Sequence, residues 1–233
     1  MLVIIRRRAV IAAIFCLAAV ISAVLVAGRA ERTAASAQEK QILVIDPGHG
    51  GIDGGALAAD GTKESAINLA ISPKMRAIAE LYGEKTVMTR DTEESEVSIS
   101  EYSEHNDLLR RADIANKLNG AVLISVHQNN FPTVQPRGAQ ILYAPSDGSR
   151  ELGLLAQSAL VGFADPHNRR VAEKAPGKLL LTNSVGCPAI LAECGFMSNP
   201  QEASMLRTGN YQLKLACALT AAYIQFAKNI TPA

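Results

Sequence analysis

The chain has 233 residues, 48% of them hydrophobic, and a formal net charge of +1. That length suffices for one domain with a sizeable core, and so small a charge exerts no strong pull toward nucleic acid or an anionic surface. Aromatics make up 4% and Trp is absent, which argues against stacking platforms for single-stranded nucleic acid.

Arg6, Arg7 and Arg8 precede an apolar stretch, residues 9–28, that holds no charge. About 20 helical residues span a bilayer core, and the basic flank puts the N-terminal side in the cytoplasm. Residues 1–28 therefore read as a membrane anchor or signal segment. The length of the apolar run favours an uncleaved anchor, whereas Ala35-Ser36-Ala37 resembles a cleavage site. Either way the remainder is exported. Residues 29–40 are polar and Ala-rich and form a tether, and the catalytic domain covers 41–229. Of the four cysteines, Cys16 lies in the apolar segment. Cys187, Cys194 and Cys217 are odd in number and form no Cys-x-x-Cys zinc pair, so free thiols are expected.

The first strand is predicted at 42–46, an unbroken apolar run suited to a strand covered on both faces. A Gly-rich loop follows at 47–61. A helix begins near Glu64, with Ile67, Ile71, Met75, Ile78 and Leu81 on one face, an interruption and kink at Pro73 and Gly83 as its stop. The pattern then gives a strand at 85–89, an exposed acidic loop at 91–105 and a helix at 107–118 closed by Asn119-Gly120. Strands at 121–126 and 138–144, a helix at 151–163 and a polar loop at 165–177 come next. A short strand at 179–182, a buried one at 189–192, an Asn199 cap ahead of Pro200 and a last helix at 211–228 complete the chain. Strands alternating with helices predict an α/β fold, a three-layer sandwich with a mostly parallel central sheet and helices on both faces.

Three of these strands end in chemistry. His49 follows the first, His127 follows the run at 121–126, and Glu193 ends the run at 189–192. Side chains at the carboxyl ends of strands in such a sheet converge on one crevice. A catalytic zinc site takes three protein ligands and keeps one open position. His49 and His127 supply two nitrogens. A loop returning from the first strand to the helix start brings Glu64 beside His49 as the third ligand. Glu193 is then free to act as general base. Each residue also has a plainer reading: a turn histidine, a carboxylate favouring a helix dipole, a glutamate paired with an arginine. Together they point to a site. His105 and His167 fall in polar loops and carry no assigned role. The glycines at 48–55 fit neither a P-loop nor G-x-G-x-x-G, since Asp53 stands at the third glycine position.

Three segments carry a resemblance: Asp46-Pro47-Gly48-His49-Gly50-Gly51, Ser125-Val126-His127-Gln128-Asn129, and the run from Ala189 through Glu193-Cys194-Gly195-Phe196 to Asn199. They resemble the signature segments of the zinc-dependent N-acetylmuramoyl-L-alanine amidases of the amidase-three type, and the likeness spans roughly 41–228. It implies His49, Glu64 and His127 as zinc ligands and Glu193 as the catalytic carboxylate. Within that family the chain is most similar to the CwlD-type amidases of endospore formers, through its N-terminal segment, the acidic loop after Thr89-Arg90-Asp91, and Arg137-Gly138-Ala139-Gln140. That subgroup implies a role in spore cortex maturation for germination. Pro73, Asn130, Cys187 and Cys194 depart from the usual pattern without removing a ligand. Asn129 is either a substrate-binding residue or a turn cap. Arg90 is read as pairing with Asp91 or Glu93 rather than with a substrate carboxylate.

The expected partners are peptidoglycan as substrate, a regulatory protein for so open a site, and the membrane through the N-terminal segment. Two other functions compete. An exported zinc peptidase or carboxypeptidase needs a cation for the substrate carboxylate, and no arginine adjoins the ligand motifs. A non-catalytic wall-binding protein has no need of all four of His49, Glu64, His127 and Glu193.

Overall fold

The computed structural model describes residues 41–93 and 102–230. The predicted anchor, tether and part of the acidic loop lie outside them, and among the described residues no helix is long and apolar enough to cross a membrane. In chain order the elements are β1 (Ile42–Pro47), α1 (Glu64–Leu81), β2 (Lys85–Met88), α2 (Glu104–Asn116), β3 (Ala121–Asn129), β4 (Gln140–Tyr143), α3 (Ser149–Phe163), β5 (Glu173–Lys174), α4 (Leu180–Asn183), β6 (Ala189–Phe196), α5 (Pro200–Leu206) and α6 (Gly209–Ile230). The sheet order is β2-β1-β3-β6-β4-β5. β2, β1, β3 and β6 run parallel, and β4 is antiparallel to β6.

Because side chains alternate along a strand, the sheet sorts its residues onto two faces. Leu43, Ile45, Val122, Ile124, Val126, Ile190 and Ala192 pack with Ile71 and Met75 of α1, Leu152 of α3 and Leu219 of α6. Val44, Leu123 and Ala189 pack on the opposite side with Ala112 and Ala115 of α2 and Leu181 of α4. Helices on both faces of a mostly parallel sheet match the predicted α/β sandwich.

Several local expectations need correction. Residues 179–182 were expected as a strand, but α4 forms there; four apolar residues carry no period that separates strand from helix. Pro73 does not interrupt α1, which continues with Ile71 and Met75 fully buried on either side of it. Leu81, expected on the apolar face, is 83% exposed. His105 belongs to the first turn of α2, where the Ser103 side chain accepts from Asn106 N, rather than to a loop. The Asn199 cap is as expected: its side chain accepts from Gln201 N and Glu202 N ahead of α5. Cys187, Cys194 and Cys217 are free thiols.

Candidate metal centre

The alternation that builds the core also builds the site. Asp46, Ser125, His127 and Glu193 follow Val44, Leu123 and Leu191 by two or four residues, so they project from the face covered by α2 and α4. Register places His127 of β3 beside Glu193 of β6 and Asp46 of β1 beside Ser125.

The chain leaves β1 into the Gly-rich loop and returns to α1 as the sequence suggested. Glu64 N donates to Ala56 O at 2.8 Å and Ser65 N to Gly54 O at 3.1 Å, so loop carbonyls satisfy the first amides of α1. Glu64 thereby arrives beside His49. Its Oε1 lies 3.3 Å from His49 Nε2 and 3.1 Å from His127 Nδ1. One ligand atom from each of His49, Glu64 and His127 falls within 4.8 Å of the other two. The Glu64 carboxylate is also cradled by amides, with Oε1 accepting from Gln128 N at 2.9 Å and Oε2 from Ala56 N at 3.0 Å. Burial opposes its charge, yet the hydrogen bonds from His127 and His49 outweigh burial and hold its carboxyl well below the usual range. For His49 burial works against protonation, but hydrogen bonds to Asp53 and Glu64 prevail and raise its pKa to about 10.

Two glycines are required by close approach. A Cβ on Gly48 would stand 2.2 Å from the His127 ring. One on Gly55, at φ +66, would stand 2.7 Å from both Glu64 Oε2 and His49 Cδ2. The glycines therefore let the loop close around the three donors.

Glu193 is differently placed. It is not one of the three clustered donors. Its Oε2 is buried and lacks a hydrogen-bond partner among the described residues. Burial, with the charge of Glu64 adding to it against the two histidines, raises its pKa to about 7. A groove beside it is lined by His49, His127 and Glu193 together with Leu108, Leu179 and Leu181. Asn129 is partly buried two residues beyond His127, and its carbonyl accepts from Met197 N at 2.7 Å.

Support for the loop comes from residues to which the motifs gave no role. Arg111, with a side chain 1% exposed, donates to Asp46, Asp107, Pro47 O and His49 O. Arg90 holds the carbonyls of Pro47, Gly48, Ser65 and Thr92, a different set from the acidic partners expected for it. Asn68 donates to Gly48 O and accepts from Gln128 Nε2. Asp53 accepts from His49 Nδ1 at 2.6 Å. The i,i+4 spacing of His49 to Asp53 and of Asp107 to Arg111 is the one sequence signal that points to these pairs.

The donor set fits a divalent metal: two imidazole nitrogens and one carboxylate oxygen, drawn together around glycines, with an unpaired carboxylate oxygen nearby. Residues 43–225 match the family described as N-acetylmuramoyl-L-alanine amidase. A germination-specific N-acetylmuramoyl-L-alanine amidase of Bacillus subtilis is 32% identical, over 77% of this chain and 76% of the relative. The CwlD amidase of Clostridioides difficile, solved in complex with the GerS lipoprotein, superposes with a TM-score of 0.75 at 32% identity, covering 81% of this chain and 99% of that one. The amidase AmiC2 of Nostoc punctiforme follows at TM-score 0.70 and 27% identity, over 81% and 98%. The chain belongs to the N-acetylmuramoyl-L-alanine amidase family.

Proposed function

We propose that this amidase is a zinc hydrolase that cleaves the amide between the lactyl group of N-acetylmuramic acid and L-alanine in peptidoglycan, in spore cortex maturation for germination. The observation that carries the reading is the cluster of His49, Glu64 and His127 beside a Glu193 carboxylate with an unpartnered oxygen. His49, Glu64 and His127 hold the metal. Zinc, when bound there, supplies Lewis acidity, which polarises an amide carbonyl and acidifies water. Glu193 accepts the proton of the attacking water at Oε2 and returns it to the leaving amine. Its buried position, which raises the pKa to about 7, suits a group that must both take and give a proton near neutrality. Leu108, Leu179 and Leu181 keep one wall of the groove dry, and Asn129 contacts substrate at the rim.

The relatives named as N-acetylmuramoyl-L-alanine amidases support action outside the cytoplasm, with the N-terminal segment as anchor or signal. The relative solved with a lipoprotein supports a regulatory protein partner. Arg90 and Arg111 do reach the His49 loop, but their guanidinium donors hold backbone carbonyls and carboxylates of the fold, which weakens the carboxypeptidase alternative. The test is digestion of purified peptidoglycan followed by mass spectrometry. Stem peptides released with a free L-Ala amino terminus, in a zinc-dependent manner, are expected. Cleavage only within the stem peptide overturns the amidase reading, and unchanged release after exhaustive chelation overturns the zinc.

A further inference from the structure

We propose that Asp53 is the positioning residue for His49: it occupies Nδ1 of the ring and so commits Nε2 to the metal. This rests on the metal-site reading above. The two histidines meet Glu64 Oε1 through different nitrogens, His49 through Nε2 at 3.3 Å and His127 through Nδ1 at 3.1 Å. An imidazole that binds through Nε2 leaves Nδ1 to be fixed by something else. Asp53 Oδ2 accepts from that nitrogen at 2.6 Å.

The backbone holds Asp53 in place for this. Gly50 and Asp53 pair antiparallel across the turn, with Gly50 N on Asp53 O at 2.7 Å and Asp53 N on Gly50 O at 3.1 Å. The second carboxylate oxygen, Oδ1, accepts from Gly55 N at 3.0 Å, so the carboxylate cannot rotate away without losing a bond. His49 itself has φ 61, the one positive φ at a non-glycine residue among the described residues. Such a conformation is strained and persists only where the surroundings hold it. Arg111 Nη2 grips the His49 carbonyl at 2.8 Å while Asp53 grips the ring. Backbone and side chain are thus fixed from opposite ends, and the ring presents one nitrogen to Glu64.

A carboxylate behind a ligating histidine fixes the ring's tautomer and orientation and makes the ligand more basic. Removing such a partner costs roughly 10–100-fold in metal affinity. Zinc affinity is therefore measured by chelator competition in the purified wild-type chain and in Asp53→Ala, Asp53→Asn and His49→Ala. A graded loss is expected. Asp53→Asn, which keeps an acceptor but not the charge, falls between wild type and Asp53→Ala. A second readout is nitrogen NMR of the zinc-loaded protein: wild type shows a protonated, exchange-protected Nδ1 on His49, and Asp53→Ala loses that protection. Thermal unfolding of the metal-free variants controls for folding, because the Asp53 side chain is 30% exposed and its loss should leave the midpoint close to wild type. If His49→Ala loses zinc while Asp53→Ala keeps wild-type affinity and a protected Nδ1, the positioning inference is wrong and the metal site stands. If His49→Ala keeps zinc, the metal site itself is wrong.

Discussion

The two faces of the sheet are made by alternate residues of the same strands, yet they do different work. The face under α1, α3 and α6 is apolar to its carboxyl edge, where Val126 and Ala192 remain fully buried. The face under α2 and the four-residue α4 is apolar only near its start. Two to four residues on, it carries Asp46, Ser125, His127 and Glu193. Helical cover decides the difference. Three long helices cover the first face, while short α4 leaves a groove over the second. Polar groups under the first face must pair among themselves, as Gln128 does with Asn68 of α1, because buried polar groups without partners are costly. Chemistry is therefore confined to the face whose cover runs out.

The largest effect expected from breaking that division lies on the open face. Glu193→Gln keeps shape but removes the proton acceptor, so turnover on isolated peptidoglycan should fall by roughly 10²–10⁴-fold with zinc still bound. Glu64→Gln should instead lose metal affinity first, and added zinc should restore part of its activity. A zinc titration of both variants separates the roles. Recovery of Glu193→Gln by excess zinc, or wild-type zinc affinity in Glu64→Gln, would mean the roles are misassigned. Activity that needs ionised Glu193 should also fall on the acid side. Burial puts its pKa near 7 without a cation, and a bound cation draws it down by favouring the charged form. The acid limb of the rate profile should therefore lie at or below about pH 7. A limb well above that belongs to another group.

The closed face should respond in stability alone. Leu219 of α6 is fully buried in the apolar cluster. Leu219→Ala should cost about 2–5 kcal/mol in denaturant unfolding and leave zinc affinity unchanged, since α6 carries none of the three ligands. A loss of zinc affinity larger than the loss of stability explains would show that the faces are coupled.

These two faces were not equally legible. The apolar face follows from runs such as 42–45 and 121–124, whose composition alone calls for strands covered on both sides. His49, His127 and Glu193 were legible because each ends such a run, where side chains converge. Glu64 followed from a loop that had to return. Asp53, Asn68 and Arg111 were not, because each is unremarkable in its own segment. Arg111 sits in a helix with Asp107 at i−4, which passes for surface pairing. Its other partners, Asp46 and the carbonyls of Pro47 and His49, are more than 60 residues away in the chain. Only tertiary structure turns that arginine inward. Segment 179–182 failed for the opposite reason, being too short to show any period.

The smallest effect tests the seam between the faces. Asp46 lies near the carboxyl end of β1 and is wholly buried, with Oδ1 accepting from Thr89 at 2.5 Å and Arg111 at 2.9 Å, and Oδ2 from Ser125 at 2.5 Å. Burial raises its pKa, but Arg111 and the two hydroxyls outweigh burial and lower it from 3.8 to about 2. A carboxylate whose pKa is lower in the folded state stabilises that state fully above the unfolded value. The contribution is lost as pH falls through the folded value. The window thus runs from about pH 4 down to about 2, and the difference corresponds to about 2 kcal/mol. Stability of wild type and Asp46→Asn, measured by denaturant unfolding at several pH values in that window, should converge as the pH drops. The asparagine variant is weaker at neutral pH because it leaves Arg111 without its charge partner. It should also have the shallower slope, because it has lost the group that titrates. Parallel slopes would assign the acid sensitivity to other carboxylates. They would leave Asp46 as a hydrogen-bond acceptor whose charge contributes nothing to holding the His49 loop against β3.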